Sequence, residues 1–359
     1  MVILVNILEK IVKITKFNEG GLAFSKLVKR CIVLYFAILI SSLVWNVNYN
    51  IFGNPPLQCL ILSTTTFLIT IIPFEIYWSI KDLWLARWKK LDFDGVNEKK
   101  IRIYLESSKK RKRYLSATLL NIRKRKNSND KDSIVILVHG FSDTKESLMY
   151  LAYVLAIMGY HVLIYDARGS GESKITGKKG DFISRINDFE QVVKWILKND
   201  NLKSKKIHAI GFSIGGMTVL NGGFENKNIQ KIIAISTFSN YKKTISLRNP
   251  IIILSYLLKG VKIFPKPGEN NILSPSLFIR DIKKRMPIDE WKKLSSRVFL
   301  IHAKNDKIIK VKNFEENATM LEISYENRLL LKKGTHTHKK NELILAGTIL
   351  KFLESKNDN

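Results

Sequence analysis

The 359-residue chain is long enough for a large α/β domain with an appendage, and its 45% apolar content excludes global disorder. A formal net charge of +29 draws the surface toward anionic partners, either nucleic acid or acidic lipid headgroups. The only cysteines, Cys31 and Cys59, sit in apolar runs and exclude a disulfide scaffold or a thiolate metal site.

Residues 1–30 form a basic N-terminal segment. Within it Ile3, Ile7, Ile11 and Ile14 recur at helical spacing, with Lys10, Lys13 and Lys16 off that line. This predicts an amphipathic basic helix, suited to a membrane interface or to packing on its own protein. No small-residue cleavage site follows, so it does not read as a signal peptide. Positions 31 to 74 then hold no charged residue. Cys31 to about Ile51 and Leu57 to about Ile80 each match the roughly 20 residues a helix needs to cross a bilayer. Gly53 and Pro55-Pro56 mark the turn between them, and Tyr35, Trp45, Tyr49, Tyr77 and Trp78 fall near the ends, as interfacial aromatics do. Residues 31–80 are therefore read as a transmembrane hairpin, the alternative being an apolar helical hairpin buried within the protein, toward which Glu75 leans. Six basic residues precede the first span, Lys81, Arg87, Lys89 and Lys90 follow the second, and the turn has none. A two-pass membrane protein with both termini and the catalytic domain in the cytoplasm follows.

Residues 81–131 hold 17 Lys/Arg against 6 Asp/Glu, clustered at 109–113 and 123–126 beside strand-like runs at Ile101 to Leu105 and Tyr114 to Ile122. Next to a membrane span such clusters suit anionic lipid headgroups, about 1 kcal/mol per basic residue; solvated hairpin turns are the plainer reading. No nucleic-acid-reading motif is present, so nucleic acid is an unlikely partner.

From residue 132 to 359, strands alternate with helical patterns, the mark of an α/β fold with a mostly parallel sheet and helices on both faces. Strands are expected at Ile134 to Val138, His161 to Tyr165, Ile207 to Ile210, Ile232 to Ile235, Val298 to Ile301 and Arg328 to Leu331. The segment at about 240–294, with the apolar run Pro250 to Leu258, is too long for a simple crossover and is expected to form a helical cap over the carboxyl edge of the sheet.

Between a strand and a helix lies Gly211-Phe212-Ser213-Ile214-Gly215-Gly216, the pattern of a nucleophile elbow. Gly211 and Gly215 are needed there because a Cβ would collide with the neighbouring strand or helix. A serine hydroxyl needs a base, and the base needs a carboxylate to fix its tautomer. Asp306 follows one strand and His336 follows the last, in the order Ser, Asp, His; His338, two residues on, competes as the base. Backbone N–H groups of Ile214 and of Phe141, after the turn that Gly140 permits, are candidates for the oxyanion hole. Such chemistry calls for no metal and no cofactor.

Taken together, HGF at His139 to Phe141, DARGSGES at Asp166 to Ser173, GFSIGG, the HAKND run ending at Asp306 and GTH at Gly334 to His336 resemble the α/β-hydrolase superfamily. They are most similar to its serine aminopeptidase S33-like and monoglyceride lipase-like hydrolases. The resemblance covers roughly 230 residues and implies a sheet extended by the strands between 101 and 122, with Asp166 and Arg168 structural. It leaves the N-terminal hairpin unexplained. Ser213 is not the Asp nucleophile of the haloalkane dehalogenase and epoxide hydrolase branches. The leading reading is a membrane-anchored serine hydrolase cutting a carboxylic ester, lipid-like because the anchor holds the cap near the bilayer. Peptidase, thioesterase and acyltransferase activities share the same triad, and a catalytically silent membrane adaptor is the alternative of a different class.

Overall fold

The computed structural model describes residues 20–85, 95–106, 113–122, 131–246, 256–257, 260–338 and 341–355. The expected amphipathic helix at 2–17, nearly all of both basic clusters and most of the Pro250 to Leu258 run lie outside them. The chain divides into two compact units, Met1–Asp92 and Phe93–Asn359.

In the first unit, helix α1 (Gly20–Asn46) passes through one π-helical stretch, Val47–Ile51, into a turn and then α2 (Pro56–Leu85). The stretches Arg30–Ile51 and Pro56–Ile76 are each long and apolar enough to cross a membrane. Their outward side chains are large and apolar, with Tyr35, Leu43 and Ile69 well exposed. Ala37, Cys59 and Ser63, by contrast, are buried, as small residues are where two helices approach closely. The turn satisfies itself: Asn54 donates its amide to Asn48 Oδ1 at 3.0 Å, and Asn48 donates to Val44 O at 2.8 Å. Thr65, Thr66 and Thr70 return their hydroxyls to carbonyls four residues back. This leaves fewer polar groups without a partner in an apolar surrounding. Glu75, the acidic residue within the apolar stretch, is paired with Arg30 at 3.2 Å.

The second unit is built on an eight-stranded sheet in the order β1-β2-β4-β3-β5-β6-β7-β8. Strands β1 (Val96–Tyr104) and β2 (Tyr114–Ile122) are antiparallel to each other, and β2 is antiparallel to β4. The remaining neighbours, β3 (Ser133–Val138), β4 (His161–Tyr165), β5 (Lys206–Phe212), β6 (Ile229–Ile235), β7 (Val298–Ala303) and β8 (Arg328–Leu331), pair in parallel. Each expected strand is present, several longer by one to three residues, while β1 begins at Val96 and ends at Tyr104 where Ile101 to Leu105 was expected.

Alternation along the strands divides the apolar side chains between two faces. Ile134, Ile136, Val138, Ile232, Ala234, Val298 and Leu300 join a core with α4 (Phe182–Lys198) and α5 (Ile214–Gly223). On the other face lie α3 (Met149–Ile157) and α11 (Glu342–Glu354), where Phe299 meets Phe352 with ring centroids 4.9 Å apart. The order reverses at β3: the chain steps outward to β4, then crosses back to β5. A crevice opens at such a switch point beyond the carboxyl ends of β3 and β5.

The stretch expected as one cap, about 240–294, has two parts. Helix α6 (Tyr241–Ser246), residues 260–263 and α7 (Pro267–Leu273) contribute Tyr241, Ile245, Val261, Ile263 and Leu273 to a cluster with Ile214, Met217 and Phe182 around the elbow. Helices α8 (Pro275–Arg285) and α9 (Ile288–Ser296) instead place Ile279, Ile282, Trp291 and Leu294 in the main core. Their apolar stripes match a sheet-covering crossover as well as a cap, so periodicity alone does not separate the two. Trp291 is fully buried, packs on Phe224 at 5.5 Å and donates its indole N–H to Glu322 at 2.8 Å. Trp291→Ala should lower the unfolding free energy by about 3–5 kcal/mol, read from urea denaturation followed by circular dichroism.

Candidate active site

Ser213 occupies a strained turn, with φ 55° and ψ −116°, between β5 and α5. Its backbone is tied on both sides: Ser213 N–H donates to Ile235 O at 2.8 Å, and its carbonyl accepts from Thr237 Oγ1 at 2.8 Å. The turn closes only without side chains at its flanks. A Cβ at Gly211 would lie 2.1 Å from Gly215 O, and one at Gly215 would lie 2.1 Å from Val138 O. These are backbone atoms that cannot move aside, and strain of this kind persists only where the surroundings impose it. Ile214 is the first residue of α5, so its N–H has no acceptor within the helix.

The loop after β3 runs directly against the elbow, since a Cβ at Gly140 would stand 3.5 Å from Ser213 Cβ. His139 holds this loop in place. It is fully buried, its Nε2 accepts from Ala167 N–H at 3.0 Å, and its Nδ1 therefore donates to Gly140 O at 2.7 Å. Phe141 turns its ring into an aromatic cluster, edge-on to Phe182 and to Tyr256 at 5.5 Å each.

At the end of β7, Asp306 is buried and its Oδ1 accepts the N–H groups of Ile308 at 2.8 Å and Ile309 at 3.0 Å. Its Oδ2 lies 2.7 Å from Nδ1 of His336, which follows β8. Burial raises the Asp306 carboxyl, and the His336 hydrogen bond and charge together with the two N–H groups more than offset it, holding the acid below its ordinary value. An ionised Asp306 accepts the Nδ1 proton and leaves His336 Nε2 as the basic nitrogen. The two histidines considered from sequence are thereby distinguished. His338, in the left-handed region at φ 53°, is fully buried with Nε2 2.8 Å from Ser236 Oγ.

Asp166 and Arg168 anchor the neighbouring loops. Asp166 accepts from Lys145 N–H and Nζ, each at 2.8 Å, and from Glu172 N–H at 2.9 Å. Arg168 forms a fork on Asp188 at 2.7 and 2.5 Å. Sequence reading missed Arg185, which lies fully buried on α4 and donates to the His139 carbonyl. Burial lowers its guanidinium to about 10. Its signal was a charge on the apolar stripe of α4, beside Phe182, Ile186 and Phe189, which pattern reading passes over as a surface residue. Among the described residues no cluster of His, Cys, Asp and Glu could hold a metal ion.

Residues 129–290 match the family model described as serine aminopeptidase, S33. The esterase Pf2001 of Pyrococcus furiosus superposes with a TM-score of 0.51 at 23% identity, over 72% of this chain and 90% of that one. The chain has the α/β-hydrolase fold. The acylaminoacyl peptidase of Pyrococcus horikoshii has the same fold, with a TM-score of 0.51 at 14% identity, over 74% of this chain and 43% of that one. Among curated relatives, the uncharacterized protein YqkD of Bacillus subtilis is 25% identical over 242 residues, 64% of this chain and 74% of its own. The putative esterase YitV of the same organism is 30% identical over 113 residues, 28% of this chain and 43% of its own. An uncharacterized 31.7 kDa protein of Escherichia coli is 26% identical over 115 residues, 31% of this chain and 40% of its own.

Buried histidines give this domain a pH dependence. Burial, reinforced for His208 by Lys231, lowers His208 to about 4; burial, with His302 and His336 nearby, lowers His338 to about 4. Unfolded histidine titrates near 6.5, so between these values the unfolded chain takes up protons that the folded one refuses. Stability in place above about pH 6.5 is therefore lost as the pH falls toward 4, by about 3 kcal/mol per histidine. The depressed Asp306 acts in the same direction at lower pH still. Urea denaturation from pH 7 to 4 should show this loss, and His208→Gln should make it shallower by about 3 kcal/mol.

Proposed function

We propose that the protein is a membrane-anchored serine hydrolase that cleaves a carboxylic ester through an acyl-enzyme formed on Ser213. The Asp306–His336 hydrogen bond of 2.7 Å carries this reading, because it fixes the tautomer in which Nε2 is the base nitrogen, at the same end of the sheet as the elbow that carries Ser213. Ser213 Oγ attacks the acyl carbon and its proton passes to His336 Nε2, while Asp306 stabilises the imidazolium. The N–H groups of Phe141 and Ile214 receive the negative charge that forms on the carbonyl oxygen. Collapse of the tetrahedral adduct expels the alcohol, which takes the proton from His336. Water, deprotonated by the same nitrogen, then releases the acid and restores Ser213.

The esterase Pf2001 and the putative esterase YitV support ester cleavage. The family description and the acylaminoacyl peptidase support a second reading, hydrolysis of a peptide bond on the same triad. p-Nitrophenyl esters of increasing acyl length, assayed against peptide amides and acyl thioesters, separate the two. Ser213→Ala should lower kcat for the preferred substrate by at least about 10⁴-fold and abolish fluorophosphonate labelling without loss of fold. His336→Ala should be nearly as damaging, and His338→Ala should act mainly on stability. Full turnover in the Ser213→Ala protein would overturn the mechanism.

The two apolar helices support an anchor crossing the bilayer twice, and the six basic residues before the first, the four soon after the second and the absence of any in the turn support both ends being cytoplasmic. A lipid-like ester fits an enzyme held at a bilayer. If the hairpin is the anchor, the protein should stay in the membrane pellet through high salt and carbonate, and extraction by salt alone would assign the attachment to the basic clusters instead.

A further inference from the structure

Beside the Asp306 loop lies a cavity of about 350 Å³ that the hydrolytic mechanism does not use. Four lysines are among its lining residues: Lys243 from α6, Lys307 and Lys310 from the loop after β7, and Lys312 from helix α10 (Lys312–Met320). The only carboxylate in its lining is Glu316, which accepts the hydroxyl of the buried Ser239. Among the described residues, Lys307, Lys310 and Lys312 have no ion-pair partner. A concave wall carrying this excess selects a compact anion of high charge density, and lysine serves phosphate as a point charge. The volume admits a small phosphorylated molecule and is too small for a nucleic-acid duplex.

Glu316 refines the choice. A carboxylate repels phosphate but accepts hydroxyl groups, so the anion belongs at the lysines and an alcohol-bearing part of the ligand at Glu316 and Ser239. We propose that this cavity binds a phosphorylated polyol, with Lys307, Lys310 and Lys312 holding the phosphate and Glu316 accepting the hydroxyl groups. Ile308 and Ile309 form part of its wall and also donate their N–H groups to Asp306 at 2.8 and 3.0 Å. Ile309 further belongs to the apolar cluster that holds Ile214, the residue after Ser213. The site thus shares a wall with the acyl-transfer centre, yet its occupancy is independent of whether that centre turns over.

The test uses the full chain in phosphatidylcholine nanodiscs at fixed ionic strength, titrated calorimetrically with glycerol 3-phosphate. Saturable binding at one site per chain is expected, weakened at least tenfold by the combined Lys307→Gln, Lys310→Gln and Lys312→Gln substitutions and retained by the corresponding arginine triple variant. Glu316→Gln should weaken glycerol 3-phosphate more than inorganic phosphate. Ser213→Ala should bind as wild type, which separates failure of this site from failure of the hydrolase reading. Phosphatidate added to the nanodiscs identifies a lipid headgroup as the occupant if it displaces glycerol 3-phosphate, and a soluble phosphate ester if it does not. Absence of saturable binding, or wild-type affinity in the glutamine triple variant, overturns the proposal.

Discussion

Two contacts that leave no room for a β-carbon set the geometry of the sheet domain. Gly211 lies against the Gly215 carbonyl, and Gly215 lies against the carbonyl of Val138 at the end of the neighbouring strand β3. Both contacts are backbone on backbone, so no rotamer change relieves them. They hold the first turn of α5 against the sheet and force the left-handed conformation of Ser213. The same approach brings the His139 to Phe141 loop beside the serine. Without the glycines α5 would have to lift from the sheet, and the serine and the loop N–H groups would separate.

A set of buried charges holds the loops around this centre. Lys145 joins the buried Asp166 at 2.8 Å, Arg168 forks onto Asp188, and Arg185 reaches the His139 carbonyl. Removing one partner from such a buried pair costs about 3–5 kcal/mol, because the other charge stays behind in a medium that solvates it poorly. An exposed pair such as Lys203 with Asp200 contributes at most about 1 kcal/mol. The charges that matter to the site are thus the few inside the domain, while most of the +29 lies on the surface, where its role is to attract anions.

The two units solve the problem of apolar surface in opposite ways. In the sheet domain the apolar side chains turn inward from strands and helices into a core that includes Trp291, Phe189 and Ile134. In the hairpin they turn outward, and the inner contact is left to Ala37, Cys59 and Ser63. Small residues let helices meet closely where no water is available to drive large side chains together.

Much of this architecture was legible in the amino-acid order because it rests on local rules. Alternating apolar residues mark each strand, uncharged runs mark the two apolar helices, and the Gly-x-Ser-x-Gly spacing marks the elbow, since only glycine tolerates the close approach there. The order Ser213, Asp306, His336 was likewise visible in sequence. The separation of His336 from His338 was not, because it depends on a left-handed turn that sends one ring to Asp306 and the other to Ser236. The division of the 240–294 stretch also escaped, since the apolar stripe of a helix is the same whether it covers a sheet or a site. Arg185 meets the His139 carbonyl across 46 residues of chain, and the cavity forms only where α6 brings Lys243 to the lysines of the loop after β7 and α10. The sequence by itself determined which elements form and which residue types carry the chemistry, because periodicity and steric demand act over a few residues. Which histidine meets the acid, which charge is buried and where the cations converge were decided by the tertiary structure, because burial and distance exist only once the sheet has closed.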